Sequence, residues 1–281
     1  MNKLRSDTWQ PNEEIASSII EKYNNGKSAL ALCHQYGVAD VTITKFLKRN
    51  NIKIRNASNA RRTNQINENI FDDINEESAY WIGFILSDGN IYYPQKRSKQ
   101  LNFGLKKSDW EHLEKFKKFI GSNKQLYYNN NAVFLSIYSN KIVDKLEEFN
   151  ITPRKSKTAK IPVCLKNNRH FWRGMVDGDG WVSWGNNSNP TIGICGTFDI
   201  INNFRKFVNK DNKIIKETES GCYSIVFACA TSVPICKRLY DHSTIYLDRK
   251  LSMAKLICNH YNLCINDSMI AIKEKGDING K

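Results

Sequence analysis

The sequence predicts an α+β fold in which one unit is written twice behind a small all-α domain, and three observations carry that prediction. The stretch "YWIGFILSDGNIYY", residues 80–93, returns in altered form as "FWRGMVDGDGWVSW", residues 171–184. The apolar patterns that follow each copy come in the same order. The first fifty residues, by contrast, carry only helical periodicity.

The N-terminal helices come first. In "PNEEIASSIIEKYNNGKS", Pro11, Glu13 and Glu14 suit a helix start, Ile15, Ile19 and Ile20 form the buried stripe, and Gly26 ends it. "SALALCHQYG" is a second, short helix with Ser28 as N-cap and Gly37 in the left-handed turn. "ADVTITKFLKRNN" is a third, burying Ile43, Phe46 and Leu47 and exposing Asp40, Thr42, Thr44, Lys45 and Lys48. Three short helices, the last two joined through a glycine turn and the last one basic outside, have the form of a helix-turn-helix.

Residues 51 to about 76 lack sustained periodicity and are rich in Asn, Arg and Lys, so a basic linker is expected. Arg55, Arg61 and Arg62 are placed there to track a phosphate backbone or enter a minor groove.

The duplicated unit fills the remainder. After Asp88 come the strand segments "NIYYPQ" and "QLNFGLKK", a helix "DWEHLEKFKKFIG", strands "KQLYYN" and "AVFLSIYS", and a helix "NKIVDKLEEF". After Asp179 come "WVSWGN", "PTIGICGT", "FDIINNFRKFVN", "NKIIKETE", "CYSIVFAC" and "SVPICKRLY", and a closing helix "SMAKLICNHYN". Landmarks pair across the halves: Asp88 with Asp179, Phe119 with Phe207, Leu146 with Leu239, Lys155 with Lys250. The expected divisions are 1–54 for the helical domain, 55–77 for the linker, 78–166 and 167–265 for the two halves, and 266–281 for a tail.

Composition narrows the function. Lys and Arg number 42 against 28 Asp and Glu, a net charge of +14 distributed along the chain of 281 residues, which favours a polyanionic partner, nucleic acid above all. No apolar run approaches the roughly 20 residues needed to span a bilayer, and "MNKLRSDTWQ" lacks the apolar core of a signal peptide, so a soluble intracellular protein with no membrane partner is expected. Eight scattered cysteines, without a CxxC pair or a His at finger spacing, indicate neither a zinc site nor a disulfide framework; they are expected to be reduced and mostly buried.

The echoed helices supply the chemistry. Gly83 and Ser87 are four residues apart, as are Gly174 and Gly178, so each helix carries a small-residue stripe on one face. Helices packed through such stripes come close together. Their C-terminal ends would then place Asp88 beside Asp179 across a pseudo-twofold axis. Each carboxylate also lies at the negative end of a helix dipole, where an anion costs about 0.3 to 1 kcal/mol. Something cationic should offset the pair, and oxygen ligands at a concentrated negative site suit a hard divalent ion, Mg²⁺ above others, with Mn²⁺ as a substitute.

"WIGFILSDG" and "WRGMVDGDG" resemble the paired nine-residue motif of the LAGLIDADG homing endonucleases, over about residues 78 to 262. The resemblance implies a pseudo-twofold duplicated αββαββα fold with a saddle of antiparallel sheets that binds double-stranded DNA. It implies a metal-dependent endonuclease of mobile genetic elements and introns, acting as a monomer on a long, non-palindromic site. Metal binding carries over to Asp88 and Asp179, with the backbones of Gly89 and Gly180 as further ligands. Helix contact carries over to Gly83 and Gly174. The motif's earlier acidic position is Leu86 in one copy and Asp177 in the other, so the halves are not equivalent there. The family's basic residue near the scissile phosphate falls on Lys250 and on its repeat partner Lys155, with Lys157 as an alternative to the latter. Separately, "NNGKSALALCHQYGVADVTITKFLKRNNIKIR" is similar to the resolvase-type helix-turn-helix of recombinases and phage regulators, which would extend the footprint through Thr42, Thr44, Lys45 and Lys48.

Recognition by a two-stranded ribbon in a major groove uses every second side chain. Alternation places Tyr92, Lys96, Gln100, Asn102 and Lys106 on that face in the first half, and Ser183, Asn187, Asn189 and Thr191 in the second. Two other functions share much of this pattern: a DNA-binding regulator that no longer cuts, disfavoured by the presence of both aspartates, and an RNA-binding intron maturase, disfavoured by the helix-turn-helix. An intein is not expected, since the chain starts at Met1 and ends "INGK".

Overall fold

Asn12 accepts a hydrogen bond from Ile15 N and starts α1 (Glu13–Asn24); Ser28 accepts one from Ala31 N and starts α2 (Ala29–Gln35). Gly37, at φ 66°, turns the chain toward α3 (Thr42–Arg49). The computed structural model describes residues 9–39, 41–54, 65–184, 189–217 and 221–267. These belong to two compact units, Met1–Gln65 and Ile66–Lys281. The first unit has its own core of Ile19, Tyr23, Leu32, Cys33, Val38, Ile43, Phe46 and Leu47. Thr42 departs from expectation: it is buried at the first turn of α3, while Thr44 is half-buried and Lys45, Lys48 and Arg49 are exposed. Asp40, Arg55, Arg61 and Arg62 lie outside the described residues.

Residues from Ile66 onward, read in the sequence as linker, pack into the second unit. Asn67 N donates to Ile120 O at 2.8 Å, and the Phe71 ring lies 5.7 Å from that of Phe119. There the elements run in two equal series. The first is α4 (Glu76–Asp88), β1 (Asn90–Tyr92), β2 (Gln100–Lys106), α5 (Trp110–Phe119), β3 (Tyr127–Asn129), β4 (Ala132–Tyr138) and α6 (Asn140–Glu148). The second is α7 (Arg169–Asp179), β5 (Gly180–Ser183), β6 (Thr191–Gly196), α8 (Phe198–Val208), β7 (Ile215–Lys216), β8 (Tyr223–Ala228) and α9 (Ser232–Tyr240), closed by α10 (Asp248–His260). The strands make two four-stranded antiparallel sheets of identical order, β1-β2-β4-β3 and β5-β6-β8-β7. This is a mixed α/β fold, with ten helices among the described residues.

Each sheet buries one face, as period-2 alternation requires. Ile91, Leu101, Phe103, Val133, Leu135 and Ile137 turn inward in the first sheet, and Val182, Ile192, Ile194, Ile225 and Phe227 in the second. Beneath the first sheet, Trp81, Phe84, Phe103 and Phe116 pack edge to face or tilted, with ring centroids 4.7 to 6.1 Å apart. Beneath the second, Trp172 stacks on Phe207 and lies tilted to Phe204, which meets Phe227 edge to face. α4 and α7 lie between these halves and are buried along nearly their whole length.

The thiols differ from expectation. All eight are free, but only Cys33, Cys236 and Cys258 are buried, and Cys164 and Cys264 are exposed. Cys164 sits on the outer side of a single helical turn, Val163–Leu165, whose Leu165 turns inward, and Cys264 follows the last helix.

Candidate active site at the paired helix ends

Both central helices are fixed at their starts. Asn75 and Ser78 form a reciprocal cap on α4, with Ser78 N donating to Asn75 Oδ1 at 3.0 Å and Asn75 N to Ser78 Oγ at 2.8 Å. Asn168 Oδ1 accepts from His170 N and Phe171 N at the start of α7. The small stripes then bring the backbones together. A methyl group on Gly83 would lie 2.1 Å from Phe171 O, one on Gly174 would lie 2.0 Å from Tyr80 O, and one on Gly178 would lie 1.9 Å from Ser87 Oγ. No side chain larger than hydrogen fits at those three points.

The same contact brings the helix ends together. Asp88 Oδ2 is 3.4 Å from the point where a Cβ on Gly178 would stand, one residue before Asp179. Asp88 keeps an exposed edge, but desolvation of its carboxyl by the surrounding protein, reinforced by the neighbouring Asp179 charge, pushes it up to about 6; Lys250 and Lys155 pull against that rise. Burial raises Asp179 as well, opposed by Lys155 first and Lys250 second. Each aspartate is therefore influenced most by the lysine of the opposite half.

The lysines occupy corresponding places. Lys250, in the first turn of α10, is buried and donates to Val176 O, Asp177 O and Gly180 O, each at 2.7 Å. These are carbonyls at the C-terminal end of α7, the unsatisfied end of the helix. Lys155 follows Arg154, whose φ of 58° turns the chain inward, and is buried with its ammonium donating to Gly89 O and lying 3.5 Å from Ser87 O. Lys157 is exposed. Burial lowers both amines, Lys250 to about 8, though the carbonyl acceptors favour its charged form. A cavity of about 770 Å³, lined by Asp88, Asn90, Tyr92, Tyr93, Arg154 and Lys155, opens at the first aspartate.

The donor set fits a hard divalent cation. Among the described residues no cluster of three or more His, Cys, Asp or Glu side chains is placed to hold a metal. Two carboxylates, with no nitrogen or sulfur ligand, match an ion such as Mg²⁺ that retains several waters and completes its shell from phosphate oxygens. The Gly89 and Gly180 carbonyls each already accept from a lysine, so one lone pair on each is taken.

Sequence reasoning missed the polar network behind the pair. Asp177 is fully enclosed, yet its Oδ2 accepts from Tyr80 OH at 2.8 Å and Leu247 N at 2.7 Å, and its Oδ1 from Tyr240 OH at 2.7 Å. Burial raises its pKa, and these three donors and Lys250 oppose the rise. With its hydrogen given to Asp177, Tyr80 OH accepts from His112 Nε2 at 3.0 Å, so the buried, neutral imidazole carries its hydrogen on Nε2. Arg173 is also enclosed: it donates to Glu76 Oε1 at 2.7 Å, to Ile245 O at 2.7 Å and to Leu239 O at 3.0 Å. Burial would raise Glu76, but His170, Thr244 N and Arg173 bring it down to about 2. A signal existed, because an arginine and an aspartate within an otherwise apolar helix need buried partners.

On the sheets, Tyr92, Gln100, Asn102 and Lys106 lie opposite the buried face, as alternation predicts, and Lys96 is exposed in the β1–β2 turn. Ser183 and Thr191 are cross-strand partners whose hydroxyls lie 3.1 Å apart, and Asn189 is exposed. Asn187 lies outside the described residues. Three further groups share these faces without having been foreseen: Phe134, Trp181 and Cys195, the last with its Sγ 3.1 Å from Asp179 O.

No protein-family model matches the chain, and no curated protein matches it. Among solved structures it is similar to the LAGLIDADG meganuclease I-AabMI bound to uncleaved DNA, at 12% identity over 72% of this chain and 97% of that chain, with a TM-score of 0.48. It is similar to I-SmaMI bound to an uncleaved DNA target in the presence of calcium ions, at 14% identity over 68% of this chain and 92% of that one, TM-score 0.46. A third is the LAGLIDADG homing endonuclease I-GzeII in complex with its DNA target, at 12% identity over 73% and 97%, TM-score 0.45.

Proposed function

We propose that the chain is a LAGLIDADG-type endonuclease that hydrolyses one phosphodiester in each strand of a long, non-palindromic DNA site. The observation that carries this reading is the meeting of Asp88 and Asp179 at the ends of two helices packed through glycine, each end braced by a buried lysine. Two such carboxylates in a chain of charge +14 are arranged for a polyanion that brings its own phosphates.

Asp88 and Asp179 hold Mg²⁺, or Mn²⁺ in its place. When bound, the ion withdraws charge from the phosphate and the leaving 3′-oxygen and lowers the pKa of a water. The residues of the chain do the rest. Close packing of α4 and α7 fixes the spacing of the carboxylates before substrate arrives, so no reorganisation is needed at reaction. Lys250 and Lys155 brace the helix ends that carry the aspartates and supply positive potential where the phosphate develops charge. The water oxygen forms the new bond to phosphorus while the bond to the 3′-oxygen breaks, and that oxygen leaves as a hydroxyl. Two equivalent ends serve the two strands of one duplex, so a single chain suffices as a monomer. Tyr92, Lys96, Gln100, Asn102 and Lys106, with Ser183, Asn187, Asn189 and Thr191, read the halves of the site. The first unit, through Thr44, Lys45 and Lys48, extends the footprint as a helix-turn-helix.

The test is incubation of the full chain with Mg²⁺ and a random-sequence DNA library, with sequencing of the ends, repeated for Asp88→Asn and Asp179→Asn. Cutting by the wild type and binding without cutting by both variants are expected. A wild type that binds a defined site and never cuts is a regulator instead, and cutting by both variants removes the carboxylates from the mechanism.

A further inference from the structure

The outer faces of the two sheets differ in chemistry. On the first, cross-strand register sorts the outward side chains into rows: Asn90, Asn102 and Ser136; Tyr92, Gln100 and Tyr138; Gly104, Phe134 and Tyr127. The first row is polar, and aromatic rings dominate the two on either side. The rings are uncovered: Tyr127 is 65% exposed, Tyr92 55%, Tyr138 43% and Phe134 36%. Gly104 is what lets Phe134 lie flat, since a Cβ there would stand 2.8 Å from the Phe134 ring. Tyr127 rests beside it with centroids 6.2 Å apart. Lys124 holds its ammonium 4.6 Å from the Tyr138 ring centre. On the second sheet the corresponding face carries Ser183, Thr191, Cys195, Ile215, Val226 and Ala228, with Ser224 buried on the same side and Trp181 folded over Gly193 as its one ring among the described residues.

We infer that the first sheet docks on a thymine-rich half-site and reads it by apolar contact through its rings, which the second sheet, with a single ring among hydroxyls and small aliphatic groups, does to a lesser extent; this rests on the DNA-cleaving reading above. The only apolar group a base pair shows in the major groove is the 5-methyl of thymine. Rings laid on other base edges would bury nitrogen and oxygen atoms without partners. A face with three exposed tyrosines and a phenylalanine therefore fits the groove best where methyl groups meet the rings. Lys106 and Lys124 on the same sheet supply the charge a duplex requires. Successive rows on a face are two residues, about 6.8 Å, apart. The thymine contacts should thus fall in two clusters with a polar-read step between them. RNA fits poorly, because uracil lacks the methyl and the A-form major groove is too narrow for side chains.

The experiment replaces thymine by deoxyuridine, which removes the methyl and leaves every pairing and hydrogen-bonding group in place. A site is selected from a DNA library by binding to the full chain without added metal, and affinity is measured with uracil placed in one half at a time. In one half, affinity is expected to fall about threefold to fourfold per critical methyl, the ratio for one buried methyl group. In the other half the fall should be clearly smaller. Phe134→Ala and, separately, Tyr127→Ala should abolish that sensitivity, and Tyr127 is exposed enough that its loss leaves the fold intact. Equal sensitivity in both halves, or none in either, overturns the inference while leaving DNA cleavage standing. Failure to bind any DNA overturns both. A ring cluster that serves a protein partner would show as variants with unaltered DNA affinity, which also overturns it.

Discussion

Tyr80 on α4 donates its hydroxyl hydrogen to Asp177 on α7 at 2.8 Å, so the two central helices are joined by a buried polar contact as well as by glycine packing. Asp177 also receives Tyr240 OH and the Leu247 amide that opens α10, the helix bearing Lys250. Asp177→Leu, which copies the Leu86 of the first half, leaves three buried donors without an acceptor. At about 1 to 3 kcal/mol for each unsatisfied group, and with partial relaxation, a loss of about 3 to 5 kcal/mol is expected in denaturant unfolding. Asp177→Asn keeps an acceptor for Leu247 N and should lose less than half as much.

Gly174→Ala and Gly83→Ala test the helix contact. The added carbon would meet a backbone carbonyl at 2.0 or 2.1 Å, and backbone has no rotamer with which to move aside. Each variant should lose about 3 kcal/mol or more, at the upper end for overpacking. Gly26→Ala is a control of another kind: nothing lies within 4 Å, and only the φ of 100° opposes it. Thermal unfolding of the three proteins separates steric from conformational cost.

The raised pKa of Asp88 sets two pH dependences. Its folded value of about 6 exceeds the ordinary carboxylate value, so between about 4 and 6 the folded chain binds more protons than the unfolded one. This group therefore takes stability away as pH rises through that window. Without divalent cation, Asp88→Asn should unfold at a higher temperature than wild type at pH 7, and the difference should vanish near pH 4. Mg²⁺ should raise the unfolding temperature of the wild type and not of the variant. At limiting Mg²⁺, cleavage should rise with pH through about 6 as Asp88 loses the proton that competes with the ion, and decline at or above about 8 as Lys250 loses its proton.

The sequence points to Lys155 with Lys157 as its alternative, and their placements separate them. Lys155→Met removes a buried ammonium from the Gly89 carbonyl, and should lower single-strand cutting at least tenfold while binding persists. Lys157→Ala, at an exposed position, should alter stability by no more than about 0.5 kcal/mol and leave cutting unchanged. Strand-specific nicking of a labelled duplex distinguishes them.

Much of this architecture could be read from local pattern. The αββαββα order, the caps at Ser28 and Gly37, the stripe at Gly83, Ser87, Gly174 and Gly178, and the outward set Tyr92, Gln100, Asn102 and Lys106 all depend on spacing, and spacing is written in the sequence. The buried network was harder to read, because the partners of Asp177 lie 97 and 63 residues away in the chain and only the fold unites them. Thr42 was misread for a related reason. Helical periodicity sorts residues around one axis, and burial at a helix start also depends on contacts made outside the helix. The aromatic face escaped notice because Phe134 and Tyr127 lie on strands whose inner and outer sides are both hydrophobic, which blurs alternation.

The packing of Ser87 against Gly178 makes the two halves non-interchangeable. The serine Cβ lies 2.6 Å from where a second Cβ would stand on Gly178, so the fit works only because one helix gives up the atom the other keeps. Two copies of the first half would drive serine into serine, and two copies of the second would leave a void between facing glycines. Separated and mixed, the halves should seek each other and refuse themselves. A change at Ser87 or at Gly178 is therefore tolerated only with a matching change at the other.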